Sequence, residues 1–88
     1  MKSTHSKKDY HMKLQEELFS KYGYLVSGEN LALLLGFPTA SAFRQAYSRG
    51  KIKVPIITIE NRKGKFAMTS DIAEWLTEIR YKSLENSE

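Results

Sequence analysis

The stretch SGENLALLLGFPTASAFRQAYSRG, residues 27–50, decides how this chain folds. Ser27 offers a side-chain oxygen to cap a helix, and Glu29 stands in the first turn, where the helix dipole favours an acid. Leu31, Ala32, Leu34 and Leu35 recur at helical spacing and supply a buried face, and Gly36 stops the helix after roughly two turns. Phe37 reads either as core or as the plug of the turn that follows. Pro38 lies just outside the next helix, where its missing N–H costs nothing. Thr39 caps that helix, which runs to about Arg49 and closes at Gly50. Within it Phe43, Ala46 and Tyr47 form the inward stripe at i, i+3 and i+4, while Ser41, Arg44, Gln45 and Ser48 point the other way. Two short helices therefore meet across a tight turn.

Past Lys51 the apolar period changes from helical to two. Ile57 and Ile59 alternate with Thr58 and Glu60, Phe66 and Met68 alternate on the return, and Asn61-Arg62-Lys63-Gly64 supplies turn chemistry between them. The pattern predicts a β-hairpin with a basic tip. Thr69 or Ser70 caps a closing helix with Asp71 in its first turn and Ile72, Trp75, Leu76 and Ile79 on its inner face; Tyr47 and Trp75 both read as core. The periodicity fades after Ile79, so residues 81–88 are expected to fray as an acidic tail. Toward the N-terminus, Leu14, Leu18 and Tyr22 share one face of a helix over about Tyr10–Tyr22 that stops at Gly23. Tyr24-Leu25-Val26 is a short extended piece, and residues 1–9 are polar and aperiodic, as expected of a disordered basic tail. The expectation is one α+β domain over residues 10–80, its helices packed with one two-stranded antiparallel hairpin.

Eighty-eight residues leave room for a single small core. No apolar run approaches the roughly 18 residues that span a bilayer, and the first residues lack the apolar stretch of a secretory signal. There is no cysteine, hence no disulfide framework or thiolate metal site. A cytoplasmic protein is expected. The formal charge is +4, but its distribution is uneven. Between Arg44 and Lys65 stand Arg44, Arg49, Lys51, Lys53, Arg62, Lys63 and Lys65 against the single acid Glu60. From Ser70 onward Asp71, Glu74, Glu78, Glu85 and Glu88 outnumber Arg80 and Lys82. Such a division suits a protein that lays one face on a polyanion, although a plain solvated surface would look the same on charge alone.

The segment Gly28-Glu29-Asn30-Leu31-Ala32-Leu33-Leu34-Leu35-Gly36-Phe37 resembles the first helix and turn of the MerR-like and excisionase-like winged helix-turn-helix families. Ala42-Phe43-Arg44-Gln45-Ala46 through Arg49-Gly50-Lys51-Ile52 resembles their recognition helix and its exit. Lys53-Val54-Pro55 resembles the entry to the wing, and Phe66 through Leu76 the returning wing strand and closing helix. The likeness spans about residues 24–77 and extends to small phage and pyocin activators. Three departures stand out: the segment Thr58 through Phe66 is longer and more basic than the shortest excisionase wings, the first helix and the Tyr24 lead-in extend beyond the minimal module, and no long coiled-coil helix follows the domain. The resemblance implies a winged helix-turn-helix that binds double-stranded DNA, as a transcriptional regulator or as an excisionase-type factor aiding a recombinase.

On that reading Thr39, Ser41, Arg44, Gln45 and Ser48 are the candidates for base contact. Arginine can donate two bonds to guanine and glutamine can pair with adenine, each pair discriminating by about 1–3 kcal/mol. Arg49, Lys51, Lys53, Arg62, Lys63 and Lys65 are the candidates for phosphate or minor-groove contact. Six phosphates would give a slope of log affinity against log salt of roughly −5. A single domain covers about one half-site, so a homodimer or a cooperative array on DNA is expected; a recombinase or RNA polymerase is the protein partner such roles imply. The competing reading is a protein-interaction module that docks a partner through the hairpin or the acidic closing helix (Asp71, Glu74, Glu78). His5 and His11, with Asp9 between them, lack the carboxylates to complete a metal site. No nucleophile stands with a base and no glycine loop cradles phosphate, so neither an enzyme nor a cofactor is expected.

Overall fold

The computed structural model describes residues 6–85. Four helices and a two-stranded antiparallel sheet make a small α+β fold. Helix α1 (Lys7–Tyr22) is followed by strand β1 (Leu25–Ser27), α2 (Gly28–Leu34), α3 (Ala40–Ser48), strand β2 (Phe66–Met68) and α4 (Thr69–Glu85).

Helix α1 begins at Lys7, where a tail reaching residue 9 was expected. The cause is local: Ser6 takes the N-cap position, and its side chain accepts the Asp9 amide at 3.1 Å. Asp9 also sits in the first turn, as the helix dipole favours. Residues 1–5, with His5, lie outside the described residues. Helix α4 likewise continues past Ile79 to Glu85, because no glycine or proline interrupts it and the Tyr10 ring holds its later turns. The Tyr10 ring meets Tyr81 edge-on at 5.9 Å, and the Arg80 guanidinium lies 4.8 Å from its centroid. Of the expected frayed tail, 81–85 are therefore helical, and 86–88 fall outside the described residues.

Helices α2 and α3 end in the same way. Gly36 and Gly50 take positive φ (93° and 71°) just past the helix ends. The Gly36 amide donates to Leu33 and that of Phe37 to Ala32; the Gly50 amide donates to Tyr47 and that of Lys51 to Ala46. These paired bonds satisfy carbonyls that a helix end leaves open, and the left-handed residue that permits them is normally glycine. Thr39 caps α3 as expected, its hydroxyl accepting the Ala42 amide at 3.0 Å. Ser27 occupies the N-cap position of α2 but makes no side-chain capping bond. It is also the last residue of β1, paired with Phe66, so the sheet sets its backbone.

The sheet differs from the expected hairpin. Strand β2 pairs with β1, with Leu25 opposite Met68, Val26 opposite Ala67 and Ser27 opposite Phe66. The arm from Ile57 touches it through one bridge, in which Ile57 and Phe66 exchange backbone bonds of 2.7 and 2.9 Å. Residues 57–66 are therefore a loop closed by a single pair. The extended piece at Leu25–Ser27 takes one edge of β2, and Ile57 meets the other edge of that strand at Phe66.

Leu18, Val26, Leu31, Ala32, Leu35, Phe43, Val54, Ala67, Ile72 and Ala73 are buried together, with Phe37, Ile52 and Trp75 partly buried against them. Two expected inward residues are exposed. Tyr47 is 39% exposed and Ile79 42%, since each lies beyond the edge of this core on its helix. Two threonines are buried instead. Thr69 or Ser70 was expected to cap α4; the Thr69 hydroxyl donates instead to the Gly23 carbonyl at 2.8 Å and, more weakly, to that of Tyr24 at 3.4 Å. The Thr69 amide donates to Tyr24 at 2.9 Å, so the start of α4 is latched onto the end of α1. Thr77 donates to Ala73 one turn back at 2.7 Å. Among the described residues no helix is long and apolar enough to cross a membrane.

Candidate nucleic-acid interface

Helix α3 packs against α2 on one side and leaves the other open. Phe43 anchors it, buried against the core, with the Phe37 ring 6.2 Å away across the turn. The opposite face carries Ser41, Arg44, Gln45 and Ser48 at i, i+3, i+4 and i+7, and all four are exposed, as is Thr39 at the cap. The Thr39 oxygen already accepts the Ala42 amide, so its hydroxyl retains a hydrogen to donate outward. Four of the five candidates for base contact thus share one open helix face, and Thr39 stands at the N-terminal cap of that helix.

The six flanking cations come from two places. Beyond Gly50 the chain alternates: Ile52 and Val54 turn inward against Leu35, Phe37 and Trp75, so Lys51 and Lys53 turn out with Arg49 beside them. Arg62 and Lys63 are exposed at the tip of the 57–66 loop. A turn shapes that tip, with the Arg62 amide donating to the Ile59 carbonyl at 3.0 Å and Asn61 at φ 67°. Asparagine is one of the few residues other than glycine to take that conformation readily. Gly64 and Lys65 then return beside α3, and a cleft of about 250 Å³ lies between Gly64, Lys65, Gly28, Phe43 and Arg44.

The loop is also held by rings. The Lys65 ammonium sits 5.0 Å from the Tyr47 ring centroid, and the Arg62 guanidinium 5.3 Å from that of Phe66. Lys65 is accordingly half-buried, unlike the other five cations. Tyr47 and Phe66 escaped the sequence reading as supports for the site, because helical or strand spacing assigns both to the core and says nothing about a cation stacked from a distant loop.

Ion pairs among the described residues join Lys7 to Glu78 at 3.0 Å and Lys13 to Glu17 at 3.8 Å. Neither involves Arg44, Arg49, Lys51, Lys53, Arg62, Lys63 or Lys65. Seven cations on α3, its exit and the adjoining loop therefore have no carboxylate partner among these residues, and their summed field attracts a polyanion. On the acidic α4, Glu78 is engaged by Lys7, while Glu74 is exposed and Asp71 half-buried. No three His, Cys, Asp or Glu side chains come together as a metal site among the described residues. Comparison with protein-family models, curated proteins and solved structures returns no match to this chain.

Proposed function

We propose that this protein binds double-stranded DNA in a sequence-specific manner, as a small winged helix-turn-helix regulator or excisionase-type factor. Helix α3 enters the major groove, where Arg44 and Gln45 read base edges and Thr39, Ser41 and Ser48 add shorter contacts. The 57–66 loop is the wing. Arg62 and Lys63 at its tip, with Arg49, Lys51 and Lys53 at the helix exit, neutralise phosphates or enter the minor groove. One observation carries this reading above the others: an open helix face of polar side chains is flanked by cations that, among the described residues, have no carboxylate partner. The α2–turn–α3 unit, with its two glycine-closed helix ends, supports it by holding α3 at a fixed angle on a small core.

The test is selection from a random duplex library at about 0.15 M salt, a concentration at which nonspecific phosphate binding is weak. An enriched motif of a few base pairs that disappears with Arg44→Ala supports base reading by α3. Tandem direct repeats in the recovered sites favour the recombination role, and an isolated or inverted pair near a promoter favours transcriptional control. Recovery without a motif refutes the proposal.

A further inference from the structure

We propose that Tyr47 is a positioning residue for the wing: its ring holds Lys65, so the 57–66 loop is fixed against α3 before DNA arrives, and Lys65 is a strut rather than a phosphate contact. The inference rests on the DNA reading and gives a role within it to the half-buried member of the flanking cations.

The loop has little else to tie it to the helix. Its ends meet in a single pair, Ile57 with Phe66. Its tip is closed by contacts within the loop, from the Arg62 amide to the Ile59 carbonyl and from the Arg62 guanidinium to the Phe66 ring. Among the described residues no hydrogen bond or ion pair joins residues 58–65 to α3. A cleft of about 250 Å³ opens instead between Gly64 and Lys65 on one side and Phe43 and Arg44 on the other. Close packing therefore does not fix the loop here. The Lys65 ammonium reaches across, 5.0 Å from the Tyr47 ring centroid.

Tyr47 is placed for this task. Its ring lies beyond the edge of the core, 39% exposed, with the ring of the buried Phe43 6.2 Å behind it. It stands three residues after Arg44 and next to Ser48, so a cation held on it sets the distance from the loop to the reading face. The face of an aromatic ring attracts an ammonium, and carrying Lys65 to a phosphate would release the loop. A loop already in place binds more tightly than a free one, because the free loop must be ordered on binding. That gain is bounded by the strength of the contact, about two- to fivefold for an ammonium on a partly exposed ring. Charge counting supplies a second signature. Loss of a phosphate contact flattens the salt slope by about 0.9, whereas loss of a strut lowers affinity and leaves the slope.

The test measures affinity for a duplex of about two helical turns and arbitrary sequence, from about 0.05 to 0.2 M salt. Wild type is compared with Tyr47→Leu, Lys65→Met, their double variant and Tyr47→Phe. Tyr47→Leu and Lys65→Met should each bind roughly two- to fivefold more weakly, and the double variant no more weakly than either, since both remove the same contact. Tyr47→Phe, which keeps the ring, should bind as the wild type does. Every variant should keep the wild-type slope of about −4.5, Lys65→Met included. Without DNA, the heteronuclear Overhauser effect of the amides of residues 60–65 should fall in Tyr47→Leu and in Lys65→Met and hold in Tyr47→Phe. A Lys65→Met slope shallower by about 0.9, additive losses in the double variant, or an unchanged Overhauser effect in both single variants would overturn this inference and leave the DNA reading standing. A wild type that binds no duplex would overturn the DNA reading, and the role of Tyr47 with it.

Discussion

The most quantitative consequence of the interface is its response to salt. Arg49, Lys51, Lys53, Arg62 and Lys63 are exposed and have no carboxylate partner among the described residues, whereas Lys65 is half-buried on the Tyr47 ring. Five phosphate contacts give a slope of log affinity against log salt of about −4.5, and a sixth from Lys65 would bring it to about −5.4. Between 0.05 and 0.2 M salt, five contacts correspond to a loss of affinity of roughly 500-fold. Lys63→Ala removes one contact, so the slope should become shallower by about 0.9 and that loss should shrink to roughly 150-fold. Because phosphates are the same on every sequence, the variant should weaken binding by one factor on specific and unrelated duplexes alike. Fluorescence anisotropy with a labelled duplex of about two helical turns, repeated across the salt range, reads all of this. A wild-type slope shallower than about −2, or a Lys63→Ala defect confined to one sequence, would refute the assignment of these cations to the backbone.

Three further outcomes follow from the fold. Thr69→Val should cost about 1–2 kcal/mol, because it leaves the Gly23 carbonyl at the α1–α4 latch without its hydroxyl donor, whereas Thr77→Val, which loses only a bond back along its own helix, should cost less than half as much; urea denaturation of the two variants reads the difference. Gly50→Ala should destabilise by about 1–2 kcal/mol through the backbone alone, since φ is 71° and an added Cβ meets nothing within 4 Å, and Gly50→Asn should recover part of that loss in thermal melts. Tyr47→Leu should free the 57–66 loop and speed trypsin cleavage after Arg62, Lys63 and Lys65, whereas Tyr47→Phe, which keeps the ring beneath Lys65, should not.

What could be read from the chain was what local chemistry controls. Gly36, Thr39 and Gly50 marked the ends of α2 and α3 because caps act within a few residues of themselves, and the outward face of α3 followed from its spacing. The start of α1 was legible but missed: Ser6-Lys7-Lys8-Asp9 is a capping sequence hidden in a run of polar residues, where no apolar periodicity draws attention to it. The pairing of β1 with β2 was not legible. Leu25 and Met68 lie far apart in sequence, and a three-residue strand is too short for alternation to reveal its partner. The alternation at Ile57–Ile59 was genuine in the sequence, yet only Ile57 pairs: in the register its bridge sets, Ile59 falls opposite Gly64, and Pro55, which has no N–H to give, falls opposite Met68. Thr77 was unreadable as core for another reason: a hydroxyl is tolerated there only because Ala73 accepts its hydrogen, a fact that spacing does not carry. In the candidate interface, the exposed cations were evident from their clustering, while the rings that hold Lys65 and Arg62 emerged only once the loop had been brought beside α3.

The most direct test of the account is the comparison of Arg44→Ala with wild type on a motif recovered from random duplexes, measured at one salt concentration against both that motif and an unrelated sequence. The account predicts that Arg44→Ala loses roughly 1–3 kcal/mol on the motif and much less on the unrelated duplex, so that discrimination collapses while general DNA affinity survives. Equal affinity of the wild type for both duplexes, or an Arg44→Ala variant that discriminates as well as the wild type, would contradict sequence reading by α3.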